Sequence, residues 1–214
     1  MLFNTRAGDV AAGEWGLAAL PGREAGCARR YRSRAGLRHR PRLPLVHLMA
    51  GVVPAGADRQ RYLDTFIANA LCRRRLRPTV SKVLIKRSAH RSSPTTCSPV
   101  NIRRPAVAAI ERPNVFIQFD FFRAKLVDGN ISGLLETLAG RYAHIRIASV
   151  PDRHGGPDDG RELNYPWLFD RLDALGYQGW VGCEYRPRGR LPPPGSAAET
   201  LPLTPPADTR KSIL

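Results

Sequence analysis

Between Asn114 and Arg188 the chain alternates short β-branched or aromatic runs with segments of helical period, and no other feature restricts its fold as strongly. Val115 to Asp120 (VFIQFD) predicts a strand that ends abruptly in a carboxylate. After a turn signal at Asp128-Gly129-Asn130, the residues Ile131, Leu134, Leu135 and Leu138 recur at i, i+3, i+4 and i+7. That spacing puts them on one face of a helix ending near Gly140. His144 to Val150 alternates as a second strand, with Ile145 and Ile147 on the face opposite His144 and Arg146. A loop rich in Gly, Pro and Asp runs from Pro151 to about Gly160. Asn164 then offers a cap, Pro166 fits the first turn of a second helix, Leu168, Leu172 and Leu175 form its buried seam, and Gly176 stops it. Trp180 to Tyr185 closes the unit as a third strand, with Glu184 near its end on the face opposite Val181 and Cys183. Strand, helix, strand, helix, strand in this order requires a parallel sheet, because each helix carries the chain back to the same end of the next strand. Chemistry in such sheets sits at the carboxyl ends of strands, where Asp120 and Glu184 fall.

Upstream the same grammar is weaker. Leu45 to Ala50 predicts a strand, Asp58 to Asn69 a helix with Tyr62, Phe66 and Ile67 on one side, and Lys82 to Ile85 a further strand. Cys72 to Pro78 and Arg87 to Arg104 show neither helical nor strand period. A length of 214 residues allows one domain, placed at residues 1–190 with irregular stretches at 27–44 and 70–113. The tail, residues 191–214, has six prolines and no periodic apolar face, and is expected to be disordered.

A formal charge of +16 suggests a nucleic-acid partner, but the charge is concentrated. Cys27 to Leu45 holds seven arginines and no acid, and Ala70 to Pro113 holds eleven Lys or Arg against the single Glu111. Outside these windows the charges nearly balance, 16 basic against 17 acidic. No charged segment followed by an apolar core marks a secretory signal, and no apolar run is long enough to span a membrane, so a cytoplasmic location is expected. Cys27, Cys72, Cys97 and Cys183 form no CxxC pair, which supports neither a zinc site nor a disulfide framework. Cys183 reads as a small core residue, and Trp15, Trp167 and Trp180 as packing residues.

The segments VFIQFD, AHIRIASVPDRH, GRELNYPWLFDRLDALGYQGWVGCEYRPRG, LVHLMAGVVPAGADR and LFNTRAGDVAAGEWGLAALPGRE together resemble the hydroxypyruvate isomerase family. The resemblance is close over Asn114 to Arg190, and close but short over Leu2 to Ala25 and Leu45 to Asn69. It implies a (β/α)8 TIM barrel interconverting hydroxypyruvate and tartronate semialdehyde (2-hydroxy-3-oxopropanoate) in glyoxylate metabolism. A sister group acts on longer 2-oxo sugar acids. The implied mechanism is metal-assisted proton transfer through an enediolate: a divalent cation, magnesium or manganese, polarises the carbonyl and two glutamates exchange the proton. By resemblance Glu184 is one catalytic glutamate and a metal ligand, Asp120 is a second ligand, and Arg153 with His154 holds the carboxylate of a small 2-oxo acid substrate.

Three positions depart from that pattern. Lys86 stands at the position of the family's other glutamate, Arg146 at that of its glutamine ligand and Arg123 at that of a histidine. Lysine and arginine bring positive charge and no lone pair to a cation. The opening LFNT matches the end of the family's third strand, so the barrel is expected to lack its first two strands. On spacing alone, Asp120 and Glu184 fit solvated strand ends better than a site, and Arg153 and His154 suit an exposed loop pair as well as a substrate clamp. His47 and His144 fit strand residues hydrogen-bonded inside a barrel better than metal ligands. The basic windows fit out-of-frame translation of a GC-rich gene better than arms for nucleic acid, since they begin and end sharply and the family pattern resumes after them. The alternative to an isomerase is thus a non-catalytic remnant or a basic nucleic-acid-binding protein. No feature sets an oligomeric state.

Overall fold

The computed structural model describes residues 2–5, 7–24, 43–72, 80–86, 113–157 and 161–187. Six parallel strands pair in sequence order: β1 (Leu2–Asn4), β2 (Leu43–Leu48), β3 (Val80–Lys86), β4 (Val115–Asp120), β5 (Tyr142–Ile147) and β6 (Trp180–Cys183). Among the described residues four helices lie between them: α1 (Arg59–Cys72), α2 (Phe121–Val127), α3 (Ile131–Thr137) and α4 (Tyr165–Ala174). The parallel sheet is the one that the alternation predicts, and its sequential order is that of the (β/α)8 architecture that the resemblance implies, with β1 and β6 at the two edges of the described sheet.

The pleat sorts the side chains onto two faces. Val83, Ile85, Ile117, Phe119, Ile145, Ile147 and Val181 are buried in one core cluster with Phe66, Phe121, Leu135, Leu168 and Leu172 from the helices. The opposite face carries the polar set. Register places Lys86, Gln118 and His144 in one row across β3, β4 and β5, and Asp120, Arg146 and Gly182 in the next row across β4, β5 and β6. Glu184 follows β6 by one residue and donates its backbone N–H to the Ile147 carbonyl at 2.9 Å. The two rows therefore bring three cationic or carboxylate strand ends and Glu184 to one mouth of the sheet.

Local chemistry fixes the helix starts. Asn164 Oδ1 accepts the Trp167 N–H at 3.2 Å and caps as the sequence predicts, and Asn130, read from sequence as part of a turn, caps as well, its Oδ1 accepting the Gly133 N–H at 3.0 Å. Gly140 and Gly176, at φ 75° and 71°, occupy the left-handed region that stops α3 and α4. Leu168 and Leu172 are buried, while Leu175 is the C-cap and only partly buried. Asn69 Nδ2 donates to the Ala18 carbonyl at 2.8 Å and ties α1, which runs past Asn69 to Cys72, to the loop after β1.

Several expectations need correction. Helix α2 is absent from the sequence reading, because Phe121 and Phe122 extend the aromatic run of β4 and mask the change of period. Its start is set by Asp120, whose Oδ1 accepts the Arg123 N–H at 3.1 Å. The alternation of β5 is broken at Ala143: Ile117 lies opposite Tyr142 but Gln118 lies opposite His144. This extra residue turns both Tyr142 and Ile145 toward the core although they are three apart. Trp15, Trp167 and Trp180 are not packing residues, being 54%, 46% and 44% exposed. Trp180 sits on the edge strand and Trp167 on the outer side of α4, where no described layer covers them. Cys183 does pack, half-buried, against the core.

Most of the basic windows, Cys27, Cys97 and the proline-rich tail lie outside the described residues. Within the window beginning at Ala70, β3 is an ordered strand with Val83, Leu84 and Ile85 buried, longer than the four residues the sequence predicts. No helix among the described residues is long and apolar enough to cross a membrane.

Candidate functional site

At the carboxyl ends of β3 to β6, cationic side chains converge on two carboxylates. Lys86 Nζ lies 2.9 Å from Asp120 Oδ2 and 2.7 Å from Glu184 Oε2. Arg146 pairs with Glu184 Oε1 at 3.1 Å, and Arg153 with Glu184 Oε2 at 2.8 Å. The Asp120 side chain is 3% exposed, Lys86 12% and Glu184 35%, so the cluster runs from a closed floor to an open mouth. Three cations against two carboxylates leave the cluster net positive.

Each group is held by its backbone. Asp120 is both the last residue of β4 and the cap of α2, so one carboxylate oxygen is committed to the helix, and the other is ion-paired with Lys86 but accepts no aligned hydrogen bond among the described residues. Arg153 occupies φ 62°, a left-handed conformation unfavourable for a side chain with a Cβ. The Arg153 N–H donates to the Ser149 carbonyl at 3.0 Å, and the Arg186 N–H donates to the Arg153 carbonyl at 2.8 Å. Its Nε donates to the Glu184 carbonyl at 2.8 Å and its guanidinium lies 5.1 Å from the centre of the Phe122 ring. Behind it, the buried Tyr165 hydroxyl donates to the Ala148 carbonyl at 2.7 Å and accepts its N–H at 3.0 Å, fixing the end of β5.

Beneath the cluster lie Gln118, 1% exposed, and His144, 7% exposed. Gln118 Oε1, His144 Nδ1 and Arg146 Nε are buried without a hydrogen-bond partner among the described residues. His47 does meet expectation, its Nδ1 standing 3.0 Å from Asn4 Oδ1. His144 corrects it at Nδ1: its ring lies over Gly182, the register partner of Arg146, and a glycine offers no side chain to bond.

The fields are strong. Burial would raise the Glu184 pKa, but Lys86, Arg146 and Arg153 together pull it from 4.5 to about 2. Burial, aided by the charge of Arg146, lowers His144 from 6.5 to about 4, and burial with Lys86 and Arg146 lowers His47 to about 3. A depressed histidine is protonated more readily in the unfolded chain, and so is a depressed carboxylate. Stability should therefore fall as pH drops from about 6.5 toward 4 and 3 through His144 and His47, and again from 4.5 toward 2 through Glu184. Urea midpoints measured from pH 7 to 3 test this, and His144→Asn should make the upper limb shallower while His47 keeps part of its slope. A midpoint that stays constant between pH 7 and 4 in the native chain contradicts the assignment.

Of the site residues predicted from sequence, Lys86, Asp120, Arg146, Arg153 and Glu184 meet in this cluster. His154 stands beside it, its Nδ1 2.7 Å from the Arg186 carbonyl, and the Arg123 guanidinium lies 5.6 Å from the centre of the Phe122 ring. The residues that sequence reasoning missed are Gln118 and Phe122. Gln118 was visible in principle, since a glutamine two before Asp120 in an apolar strand shares its face.

The donor set does not suit a divalent cation. The position between the two carboxylates is taken by the Lys86 ammonium, and Arg146 and Arg153 already hold the remaining Glu184 contacts. Among the described residues no three His, Cys, Asp or Glu side chains are placed to share a metal ion.

This geometry, strand-end carboxylates and cations at one mouth of a parallel β/α sheet, is that of a barrel enzyme site. Residues 96–205 match the family described as xylose isomerase-like TIM barrel. The chain is 44% identical to the 2-oxo-tetronate isomerase of Haemophilus influenzae, over 88% of this chain and 73% of that one. It is 37% identical to the putative hydroxypyruvate isomerase of Homo sapiens (88% and 70% covered) and 31% identical to the hydroxypyruvate isomerase of Escherichia coli (87% and 72%). Among solved structures it is similar to an AP endonuclease, family 2, from Brucella melitensis, with TM-score 0.77, 38% identity and coverage of 89% and 73%. D-psicose 3-epimerase from Clostridium cellulolyticum H10, at 13% identity and TM-score 0.60 over 82% of this chain and 62% of that one, shares the fold. The chain belongs to the hydroxypyruvate isomerase family of xylose isomerase-like TIM barrels.

Proposed function

We propose that the chain is an isomerase of small 2-oxo acids that prefers a four-carbon substrate of the 2-oxo-tetronate kind over hydroxypyruvate. The observation that carries the substrate class is the excess of positive charge at the mouth, together with the buried, unpartnered Arg146 Nε. A carboxylate arriving there gains Arg146 and Arg153 as partners. The preference for four carbons rests on identity: relatives named 2-oxo-tetronate isomerase are 42–44% identical, and those named hydroxypyruvate isomerase 31–37%.

The reaction moves one proton between adjacent carbons. Glu184, ionised at neutral pH, removes the hydrogen from the hydroxyl-bearing carbon beside the carbonyl, and the electron pair passes to the carbonyl oxygen as an enediolate forms. The Lys86 ammonium faces that developing charge and stabilises it. Returning the proton to the former carbonyl carbon, with the hydroxyl proton passing to the former carbonyl oxygen, completes the exchange. At a pKa of about 2, Glu184 is a weak base in the resting cluster. A substrate carboxylate that draws Arg146 and Arg153 to itself raises the basicity of Glu184, so binding and activation are one event.

A non-catalytic remnant is the second reading, favoured by one observation: Lys86 stands where a second carboxylate would share the proton work. The basic windows that suggest nucleic acid lie largely outside the described residues. Incubation with 2-oxo-tetronate or hydroxypyruvate in D2O, followed by proton NMR, separates the two. Isomerisation should be accompanied by loss of the carbon-bound proton signal, faster for the four-carbon acid, and Glu184→Gln should slow it by about 100-fold or more. Exchange with neither acid, or equal exchange in Glu184→Gln, sinks the isomerase proposal.

A further inference from the structure

We propose that the Lys86 ammonium is a built-in replacement for a divalent ion in this chain, so that the site is electrostatically complete without metal and excludes it. The geometry of the ammonium is the same whichever acid is turned over. Nζ lies within 3 Å of oxygens from two strand ends that would otherwise face each other, 2.9 Å to Asp120 and 2.7 Å to Glu184. Two carboxylates converging on one position, Asp120 in the closed floor and Glu184 at its open side, require a positive centre between them. Lysine reaches that position from β3, because register puts Lys86 beside Gln118, one row below the Asp120–Arg146 row, and its four-carbon stem covers the difference.

An ammonium and a dication differ in what they do there. The ammonium donates three hydrogen bonds in adjustable directions but offers no open coordination position. A divalent ion needs several oxygen donors at about 2–2.6 Å, and here an incoming ion meets Lys86, Arg146 and Arg153 around the same two carboxylates. Repulsion from three fixed cations opposes its entry. Removing the ammonium reverses that balance in part, and replacing it by a carboxylate puts three acidic side chains around one point.

Titration of the purified chain with Mn2+, followed by electron paramagnetic resonance of the free ion and by thermal unfolding with and without EDTA, tests the proposal. The native chain should leave the free-ion signal unchanged at millimolar Mn2+, and its Tm should not respond to metal or chelator. Lys86→Glu should bind one Mn2+ at least roughly 100-fold tighter than the native chain, because three carboxylates then meet at one position. Should Lys86→Glu fail to fold, Lys86→Met still carries the test, with a Tm that Mn2+ raises and EDTA lowers. Stoichiometric Mn2+ binding by the native chain overturns the proposal. A folded Lys86→Glu or Lys86→Met chain as indifferent to Mn2+ as the native one overturns it equally, since the ammonium would then not be occupying a cation position.

Discussion

Replacing Lys86 by methionine should cost about 3–5 kcal/mol of folding stability at neutral pH, the range for breaking a buried ion pair from one side. Methionine nearly matches the length of the lysine stem, so the loss isolates the charge. Lys86 is 12% exposed, and its partner Asp120 is 3% exposed with one oxygen already used to cap α2. Without the ammonium, Asp120 keeps a buried negative charge that the charge of Arg123 offsets only in part. Urea denaturation of Lys86→Met at pH 7 measures the loss, and Lys86→Met combined with Asp120→Asn should recover most of it. A loss below about 1 kcal/mol at pH 7, typical of exposed pairs, would mean that water reaches Asp120.

The same residue shows how far sequence carries. The sheet was legible because Val115 to Cys183 repeats strand and helix with a turn signal ending at Asn130, a cap at Asn164 and stops at Gly140 and Gly176, and each local signal agrees with its neighbours. The site was legible as a list of residues. Asp120, Arg146 and Glu184 all fall at strand ends, and parity alone assigns them to one face. Parity does not say which atoms meet. Lys86 looked like a lost ligand when read against the family pattern, and only the register of β3 against β4 shows that its ammonium bridges Asp120 and Glu184. Resemblance gives Arg153 to the substrate carboxylate; it does not tell that a left-handed backbone also turns the guanidinium onto Glu184 and the Phe122 ring. Those contacts depend on one φ angle in a loop, which no hydrophobic period encodes. Helix α2 was hidden for the opposite reason: its buried aromatics continue the composition of the strand before it, and the period changes without a change of residue type.

That concealed helix carries the second large effect. Phe121→Ala should destabilise the chain by about 3–5 kcal/mol, the range for deleting a buried ring from a packed core. Phe121 is fully buried, with its ring centroid 5.5 Å from that of Phe119 in an edge-on contact and 6.3 Å from that of Tyr165 in a stacked one. It therefore joins β4, α2 and α4 at the residue next to Asp120. The consequence reaches the site through two bonds. Tyr165 loses a packing partner on the side from which its hydroxyl holds Ala148, and α2 loses the anchor of its first turn. Hydrogen exchange distinguishes this from simple global loosening. The Arg123 amide, bonded to Asp120 Oδ1, should lose more protection in Phe121→Ala than the amide of Ile145, which is as buried as Phe121 but lies on β5. Phe121→Leu, which refills most of the volume, should restore much of the stability. Equal loss of protection at both amides would show that the ring supports the core as a whole and does not position Asp120.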